Sequence, residues 1–391
     1  MSSNKSLVVV GSANADIYIE VQSVPKVGET VDGVQSMIGP GGKGSNQAGA
    51  AAKYLDAAKS DRAESKNDVF FVGKVGTDGH GDMFLSAFAN CGVNTQFVTR
   101  HTEHPTGQAF IILDASSHNS IIIALGANEQ WPAHADSGAA LSAAEAAAVA
   151  SAGAVLLQRE IPDTVNLAVA RAAAAARVPA MLDVGGRASA IDTAVLPYLA
   201  LISLNETELA RVAGADVPLD ILSADAVKTM AATDGNGDKW GVCEVDPTPI
   251  LPAAAALLSR GVRRVLLTLG EHGAILFTTQ AALDSDRKSE NCNAAADGAA
   301  TPVAVSASDV IVEASVAAAA PIGGRVVDTT GAGDCFRGVF AAAWAVEQRP
   351  AREAMGRAAA AAAVCVSRKG TLPSMPSRAE VEQTVAAAGR A

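Results

Sequence analysis

Short apolar segments rich in β-branched residues recur along the chain, and alanine-rich segments that favour helices lie between several of them. The apolar segments are residues 7–10, 69–72, 154–157, 180–184, 201–204, 264–269 and 274–278. The helical segments are residues 44–55, 164–177, 252–259, 333–346, 352–367 and 378–388. Because strands that alternate with helices form βαβ units, this order predicts an α/β fold: a three-layer, mostly parallel sheet with helices on both faces.

Two regions break the alternation. Residues 17–21 with 30–38, and residues 107–113 with 119–124, predict short antiparallel strands with no helix between them. We therefore expect a single domain over residues 1–391, with a small separate β-sheet inserted at about 17–38 and 107–124. Four further stretches predict surface loops or weak helices, and we assign them no chemistry. They are residues 60–68, 136–152, 234–246 and 284–300.

The composition argues against several classes of protein. Thirty Lys and Arg residues stand against 41 Asp and Glu residues, and the net charge of −11 disfavours binding to nucleic acid or anionic membranes through a basic surface. No apolar run has the length of a membrane span. The five cysteines are widely spaced without a CxxC pair, which argues against a disulfide framework and a zinc site. We expect a soluble cytoplasmic protein.

A glycine turn near the C-terminus carries the strongest chemical signal. Gly331 and Gly333 precede Asp334 and an apolar helical pattern, so backbone N–H groups converge at a helix start that favours an anion. A carboxylate at Asp334 is well placed to take a proton from an attacking hydroxyl. An acidic residue at a helix start after a glycine turn is also common, so the segment alone supports either interpretation.

Residues 39–48 form a second glycine-rich segment, Gly-Pro-Gly-Gly-Lys-Gly-Ser-Asn-Gln-Ala. Its spacing excludes a P-loop. A GxGxxG dinucleotide motif fits, with Asp61 or Glu64 as the acidic partner. A glycine turn that brings the backbone, Lys43 and Asn46 close to a polyol fits as well, and a flexible loop before a helix is the plain alternative.

Polar residues follow several predicted strands. Asn14 and Asp16 come after the first strand, Glu160 after the strand at 154–157, and residues 205–208 and 268–273 after two later strands. Ligands of open α/β sheets bind at the carboxyl ends of the strands. Each position has an ordinary explanation as a turn or a cap, but together they predict a ligand site at one edge of the sheet.

The order of these motifs resembles the PfkB carbohydrate kinase family. The resemblance covers almost the whole chain apart from the polar insertions. It is carried by residues 11–16, 25–30, 41–48, 73–78, 205–208, 268–270, 328–334 and 368–374. It implies transfer of a phosphoryl group from ATP to a sugar, with D-ribose and its O5 as the acceptor, and with Mg²⁺ and K⁺ as cofactors. The inserted sheet would be a lid over the sugar and the contact of a homodimer.

The resemblance also implies individual roles. Asp334 would be the general base. The sugar would be held by Asn14, Asp16, Gly42, Lys43, Asn46, Glu160 and Asp334. An anion hole and the nucleotide site with its Mg²⁺ would be formed by Gly331, Ala332, Gly333, Asn205, Glu208, Thr268, Gly270 and Gly273. The K⁺ ligands would be Asp328, Thr330, Cys365, Arg368, Gly370 and Ser374.

The sequence departs from the family pattern at three places. Residues 183–187 read Asp-Val-Gly-Gly-Arg in place of an Asn-Pro-like turn, Arg337 replaces a frequent Asn, and Ala359 replaces a His or Asn beside the adenine.

Three other functions stay open at this point. They are a different sugar or nucleoside kinase of the family, a non-catalytic sugar-binding sensor, and a nicotinamide-dependent oxidoreductase that uses the GxGxxG motif.

Overall fold

The structure, a computed structural model, describes residues 6–56, 69–115, 119–132, 140–214, 247–288 and 303–388. The strands are β1 (Leu7–Val10), β2 (Asn14–Val21), β3 (Gly33–Gly41), β4 (Val69–Gly76), β5 (Asn94–His101), β6 (Gly107–Leu113), β7 (Asn119–Ala124), β8 (Ala154–Gln158), β9 (Ala180–Asp183), β10 (Leu201–Asn205), β11 (Val265–Thr268), β12 (Ala274–Thr279) and β13 (Val310–Val316). The helices are α1 (Lys43–Asp56), α2 (Gly79–Cys91), α3 (Ala143–Ser151), α4 (Asp163–Ala175), α5 (Glu206–Ala213), α6 (Leu251–Ser259), α7 (Gln280–Lys288), α8 (Ala332–Ala341), α9 (Ala351–Cys365) and α10 (Arg378–Ala388).

Nine strands form one sheet in the order β13-β12-β11-β10-β9-β8-β1-β4-β5. Neighbouring strands are parallel except β12, which runs antiparallel to β11 and β13. Alternate residues of β1 enter two different cores: Leu7 and Val9 pack with α8 and α9, whereas Val8 and Val10 pack with α4 and α6. Because both faces of the sheet are covered by helices, the predicted three-layer α/β fold is confirmed.

Helices α1 and α8 approach each other closely on one face of this sheet. Gly338 of α8 lies against the backbone carbonyl of Gln47 in α1, and a Cβ on this glycine would overlap that oxygen. The preceding turn of α8 carries Asp334, and Asn46 directly precedes Gln47 in α1. The short interhelical distance therefore brings two of the predicted site segments together.

The four remaining strands form the inserted sheet, which we call the lid, in the order β3-β2-β6-β7. The predicted antiparallel pairs are confirmed, because β3 runs antiparallel to β2 and β7 runs antiparallel to β6. The two pairs join through β2 and β6, which are parallel. Both strands continue from the carboxyl ends of parallel strands of the main sheet, so they leave it in the same direction. Strand β2 begins earlier than predicted, so that Asn14 and Asp16 belong to it, whereas β3 both begins later, at Gly33, and ends later, at Gly41.

Several boundary predictions need correction. The stretch 136–152 is not a weak element, since Ser142 and Glu145 form a capping box at the start of α3 and Val149 is fully buried. Helices α2, α5 and α7 and strands β5 and β13 were not predicted from the sequence. Residues 60–68, 136–139, 234–246 and 289–300 lie outside the described residues. No helix in the described part of the chain is long and apolar enough to cross a membrane.

Candidate active site

The start of α1 packs directly on the connection between β1 and β2. Gly42 has a positive φ of 88°, and a Cβ there would lie 2.8 Å from the Asn14 amide nitrogen. A Cβ on Gly44 would lie 2.5 Å from the Ser12 amide nitrogen, and the Ser45 amide donates a hydrogen bond to the Ser12 carbonyl at 2.9 Å. The glycines of residues 39–48 therefore permit a close backbone approach and do not form a flexible loop.

Asp334 lies in the first turn of α8 and is 6% exposed. Asn46 Nδ2 donates to its Oδ2 at 3.0 Å, and Gln47 Nε2 donates to its Oδ1 at 3.2 Å. Lys43 Nζ is 3.8 Å from Oδ1. The structure thus joins the glycine-rich segment to the predicted base, and one face of α1 supplies all three contacts.

Asn46 has a buried oxygen without a protein partner. Its Nδ2 is engaged with Asp334, and its Oδ1 has no hydrogen-bond partner among the described residues. A buried polar atom without a partner costs free energy, so a group that donates a hydrogen bond is expected to occupy this position when the site is filled. A ligand hydroxyl meets that requirement.

Glu160 follows β8 and connects three parts of the site. Its Oε2 accepts hydrogen bonds from Ser12 Oγ at 2.6 Å, from Asn14 Nδ2 at 3.2 Å and from the Lys43 amide at 2.9 Å. Burial raises the pKa of this carboxyl above its ordinary value. Glu160 therefore holds β2 and the start of α1 in a fixed relation to the main sheet.

Asn128 belongs to this arrangement but was missed by the sequence analysis. Its Oδ1 accepts from the Ala13 amide at 3.0 Å, and its Nδ2 donates to the Ala13 carbonyl at 3.1 Å and to Asn14 Oδ1 at 2.8 Å. These bonds fix the amide of Asn14 so that its nitrogen faces Glu160. The sequence signal for Asn128 is a short polar residue in the turn Gly126–Glu129, which follows the last lid strand.

Asp16 is the second lid residue of the site and is 5% exposed. Thr371 Oγ1 donates to its Oδ2 at 3.3 Å, and Gly41 leaves room for the carboxylate because a Cβ there would overlap it. Burial, together with the nearby negative charge of Glu160, raises the pKa of Asp16 to about 8. The ligand-free site therefore holds Asp16 mostly protonated at neutral pH.

Asp183, at the end of β9, is a further buried carboxylate beside the site. Its Oδ2 accepts from Gln47 Nε2 at 2.9 Å and lies 3.7 Å from Lys43 Nζ, and its Oδ1 lies 3.4 Å from Arg337 Nε. Although burial alone would raise the pKa of Asp183, Arg337 and Lys43 lower it below its ordinary value. Burial would lower the pKa of Lys43, but Asp183 and Asp334 raise it, so Lys43 stays charged.

The predicted nucleotide residues lie at the carboxyl ends of β10 and β11, on the same edge of the sheet. Asn205 and Glu208 form a capping box at the start of α5, which uses Glu208 Oε2. Glu208 Oε1 would lie 3.1 Å from a Cβ on Gly185, beside Lys43. Thr268 Oγ1 donates to the Leu204 carbonyl at 3.2 Å. Glu208 therefore retains one oxygen near the site.

Turns of positive φ surround this edge. Gly270 and Gly273 have φ values of 54° and 101° in the turn between β11 and β12, and Gly331 has 81° at the start of α8. The Ala332 amide donates to the Thr329 carbonyl at 3.2 Å, so this predicted anion-hole donor is engaged within the protein. Ala359, which replaces the His or Asn that the family has beside the adenine, lies in α9 and is 7% exposed.

The predicted K⁺ ligands form two groups. Asp328 Oδ1 accepts from the Thr330 amide at 2.9 Å, and its Oδ2 accepts from the Gly370 amide at 3.0 Å. Cys365 Sγ and Ser374 Oγ form a hydrogen bond at 3.0 Å. The guanidinium of Arg368 turns away to pair with Glu380. In the part of the chain that the structure describes, no cluster of three His, Cys, Asp or Glu side chains suggests another metal site.

The dinucleotide interpretation of residues 39–48 finds no support in this geometry. The strand before the motif is β3, an edge strand of the lid that runs antiparallel to β2, whereas a dinucleotide-binding glycine turn follows a strand of a βαβ unit. The acidic partners proposed for it, Asp61 and Glu64, lie outside the described residues.

Comparison with known proteins gives one consistent result. The model of the pfkB family of carbohydrate kinases matches residues 4–292 and 300–378. A ribokinase of Arabidopsis thaliana is 36% identical over 378 residues, which is 96% of this chain and 79% of that protein. A ribokinase of Haemophilus influenzae is 30% identical over 96% of this chain and 97% of its own. The solved structure of Arabidopsis thaliana ribokinase complexed with ribose and ATP has a TM-score of 0.73 and 35% identity, covering 98% of this chain and 99% of that chain.

The raised pKa of Asp16 predicts how stability depends on pH. Between the ordinary pKa near 3.8 and the folded pKa of about 8, the folded ligand-free protein binds a proton that the unfolded chain has released. The free energy of unfolding therefore falls as pH rises through this window, by up to about 1.4 kcal/mol per pH unit from this group. Asp16→Asn should remove this contribution, so the variant gains stability relative to wild type as pH rises.

Urea denaturation of the ligand-free proteins between pH 5 and pH 7.5 measures this difference. Asp32→Asn, at an exposed position before β3, serves as the control. Parallel pH profiles for wild type and Asp16→Asn would show that Asp16 ionises normally in the folded protein.

Proposed function

The chain belongs to the pfkB family of carbohydrate kinases, and we propose that it transfers the γ-phosphoryl group of ATP to O5 of D-ribose. The observation that carries this proposal is the contact between Asn46 and Asp334. Asn46 has a buried oxygen without a partner, which suits a sugar hydroxyl. It contacts Asp334, a carboxylate at a helix N-terminus, which suits the transfer of a phosphoryl group to that hydroxyl.

The arrangement suits an in-line transfer. The O5 hydroxyl would give its proton to Asp334 while O5 forms a bond to the γ-phosphorus of ATP. The bond from that phosphorus to the bridging oxygen of ADP breaks, and ADP leaves with the electron pair. Asn46 and Gln47 hold the two carboxylate oxygens of Asp334, so the base is oriented before the sugar arrives.

Positive charge near the transferred group would come from several sources. The first turn of α8 presents backbone N–H groups, with Gly331 and Gly333 permitting the turn. Lys43 stays charged between Asp183 and Asp334. Fixed donors of this kind stabilise the charge that develops in the transition state without reorganising.

Glu208 fits the requirement for Mg²⁺ at the nucleotide phosphates. Its Oε1 is not used by the capping box and lies on the edge of the site next to Gly185 and Lys43. Mg²⁺ is commonly held by one or two carboxylates together with substrate phosphates and water. When bound, the ion would neutralise charge on the phosphates, and Asn205 would keep Glu208 in place through the capping box.

The sugar side supports selection among polyols. Asn14, Asp16, Lys43, Asn46 and Glu160 bring buried or half-buried polar groups to one location, and Asn128 fixes the orientation of Asn14. A substrate that leaves such groups unpaired binds poorly, because an unmatched buried polar group is costly. We therefore propose D-ribose as the preferred acceptor over hexoses and nucleosides.

Replacing the base tests the reaction directly. Asp334→Asn keeps the size of the side chain but removes proton acceptance, so we expect kcat to fall roughly 10²–10⁴-fold with ribose still bound. ADP release is followed with Mg²⁺-ATP and K⁺ against D-ribose, 2-deoxyribose, other pentoses, hexoses and adenosine. Asp309→Asn, exposed in the short turn before β13, is the matched control.

Each result of that panel has a distinct meaning. Turnover with another acceptor but not with D-ribose would show that the enzyme has a different substrate within the family. Ribose binding without turnover by wild type would favour a sugar-binding sensor. An Asp334→Asn variant with near-normal turnover would exclude the general-base role.

We further propose that K⁺ binds beside the start of α8. The carboxylate of Asp328 connects the amides of Thr330 and Gly370, so the chain segments that carry the predicted ligands lie side by side. Backbone and hydroxyl oxygens of such loops suit a monovalent cation. K⁺ held there would add positive charge close to the first turn of α8.

Exchange of the monovalent cation tests this site. We expect turnover and the thermal midpoint of unfolding to rise in KCl relative to choline chloride at equal ionic strength, because K⁺ binds the folded state. Asp328→Asn should reduce both responses, whereas Asp309→Asn should keep them. Equal turnover and midpoints in both salts would exclude a K⁺ site.

We propose that a second copy of the chain covers the outer face of the lid. Strand pairing places Ile38, Ile17, Phe110 and Ile122 in one row across all four strands, on the face opposite the buried Tyr18. Ile38 and Ile122 are 54% and 62% exposed. A contiguous exposed apolar face is typical of a protein interface, and the family resemblance favours a homodimer through the lid.

A charge on this face should disrupt the dimer. Ile122→Lys would place an ammonium in an apolar contact, so we expect sedimentation velocity at micromolar concentration to change from dimer to monomer. Val303→Lys, at a 65% exposed position outside the lid, is the control. A monomeric wild type, or an unchanged dimer in Ile122→Lys, would contradict this interface.

The compartment is part of the same proposal. Cys91, Cys335 and Cys365 are buried and free of disulfides. Unpaired thiols are typical of reducing compartments, and an ATP-dependent kinase fits the cytoplasm.

A further inference from the structure

Two places where the sequence departs from the family pattern meet beside Asp334. Asp183 belongs to the departing segment 183–187, and Arg337 stands where the family often has Asn. Arg337 Nε lies 3.4 Å from Asp183 Oδ1 and donates to Ser203 Oγ at 2.8 Å. Both residues are buried, at 3% and 7% exposure. The two departures therefore form one ion pair inside the protein.

The other end of the guanidinium points to Gly333, in the first turn of α8. Arg337 follows Gly333 by one helical turn, and side chains of a helix lean toward its N-terminus. A Cβ built on Gly333 would lie only 2.6 Å from Arg337 Nη1. Because Asp183 and Ser203 engage Nε, the terminal nitrogen lies over the glycine turn next to Asp334.

We propose that Arg337 is an additional catalytic residue whose terminal N–H groups contact the phosphoryl group as it passes from ATP to the sugar. This inference rests on the proposed kinase function. Arginine matches phosphate geometry with planar, paired donors, and its charge stabilises the transition state of phosphoryl transfer. At this position an asparagine would offer neutral hydrogen bonds only.

The ion pair explains why the arginine can be buried there. An uncompensated buried charge is costly, and Asp183 supplies the opposite charge at Nε, the end away from Gly333. Asp183 also contacts Lys43 and Gln47, so it helps to position these two residues independently of Arg337. If the role of Arg337 were purely structural, it would serve only as the counter-ion of Asp183. The two roles predict different results for the variants described next.

Three variants separate the two roles: Asp183→Asn, the double variant Asp183→Asn with Arg337→Asn, and Arg337→Lys. The double variant removes both buried charges, so it avoids the folding cost of an unpaired Asp183. Arg337→Lys keeps a positive charge for Asp183 but ends near the guanidinium carbon and has no counterpart of Nη1. Thermal unfolding is recorded for each protein.

We expect kcat of the double variant to be about 10²-fold below that of Asp183→Asn, with the KM for the sugar changed less than twofold. We expect kcat of Arg337→Lys to fall by a similar factor relative to wild type, while its thermal midpoint of unfolding stays near that of wild type. Calorimetry with ADP and aluminium fluoride, which mimics the transferred phosphoryl group, should show the same loss of affinity, whereas ADP alone should bind normally.

Equal kcat for the double variant and Asp183→Asn, together with full activity of Arg337→Lys, would overturn the proposal and leave Arg337 as a counter-ion. The assay uses whichever acceptor wild type phosphorylates. A wild type inactive on ribose would therefore contradict the proposed substrate without deciding the role of Arg337.

Discussion

The contact between α1 and α8 is the constraint on which the site depends. Gly338 has no side chain, so the two helices approach until its Cα lies against the Gln47 carbonyl. At that distance Asn46 and Gln47 both reach the carboxylate of Asp334. A larger residue at 338 would separate α1 from α8 and so move Asn46 and Gln47 away from Asp334. The proposed positioning of the sugar and orientation of the base therefore both depend on one packing contact in the core.

The charges of the site are divided between its two ends. Asp16 and Glu160 lie on the side that we propose binds the sugar, and burial raises the pKa of both carboxyls above their ordinary values. Arg337 of α8 lies beside Asp183, and the Lys43 ammonium lies between Asp183 and Asp334, where the two ends meet. A chain of net charge −11 can thus accept ATP, because the cations and the start of a helix lie where its phosphates would be.

Local patterns were sufficient for much of the fold and for part of the site. Seven of the nine strands of the main sheet were found within a few residues because each is a short apolar run, and the core alternation on β1 follows from its period of two. Asn128, Asp183 and Thr371 were missed because their roles depend on contacts with residues far away in the sequence. The parallel pairing of β2 with β6 also depends on the exit direction of two distant strands.

Strand β2 connects the chemistry of the pocket to the outer surface of the protein. Its side chains alternate between two faces, so Asn14 and Asp16 lie on the buried face while Ile17 and Ile19 lie on the other. A shift of one residue in the pairing of β2 with β6 would exchange the two sets. The register that positions Asn14 and Asp16, the proposed sugar contacts, therefore also fixes which apolar side chains the lid presents outward, and neither set can change without the other.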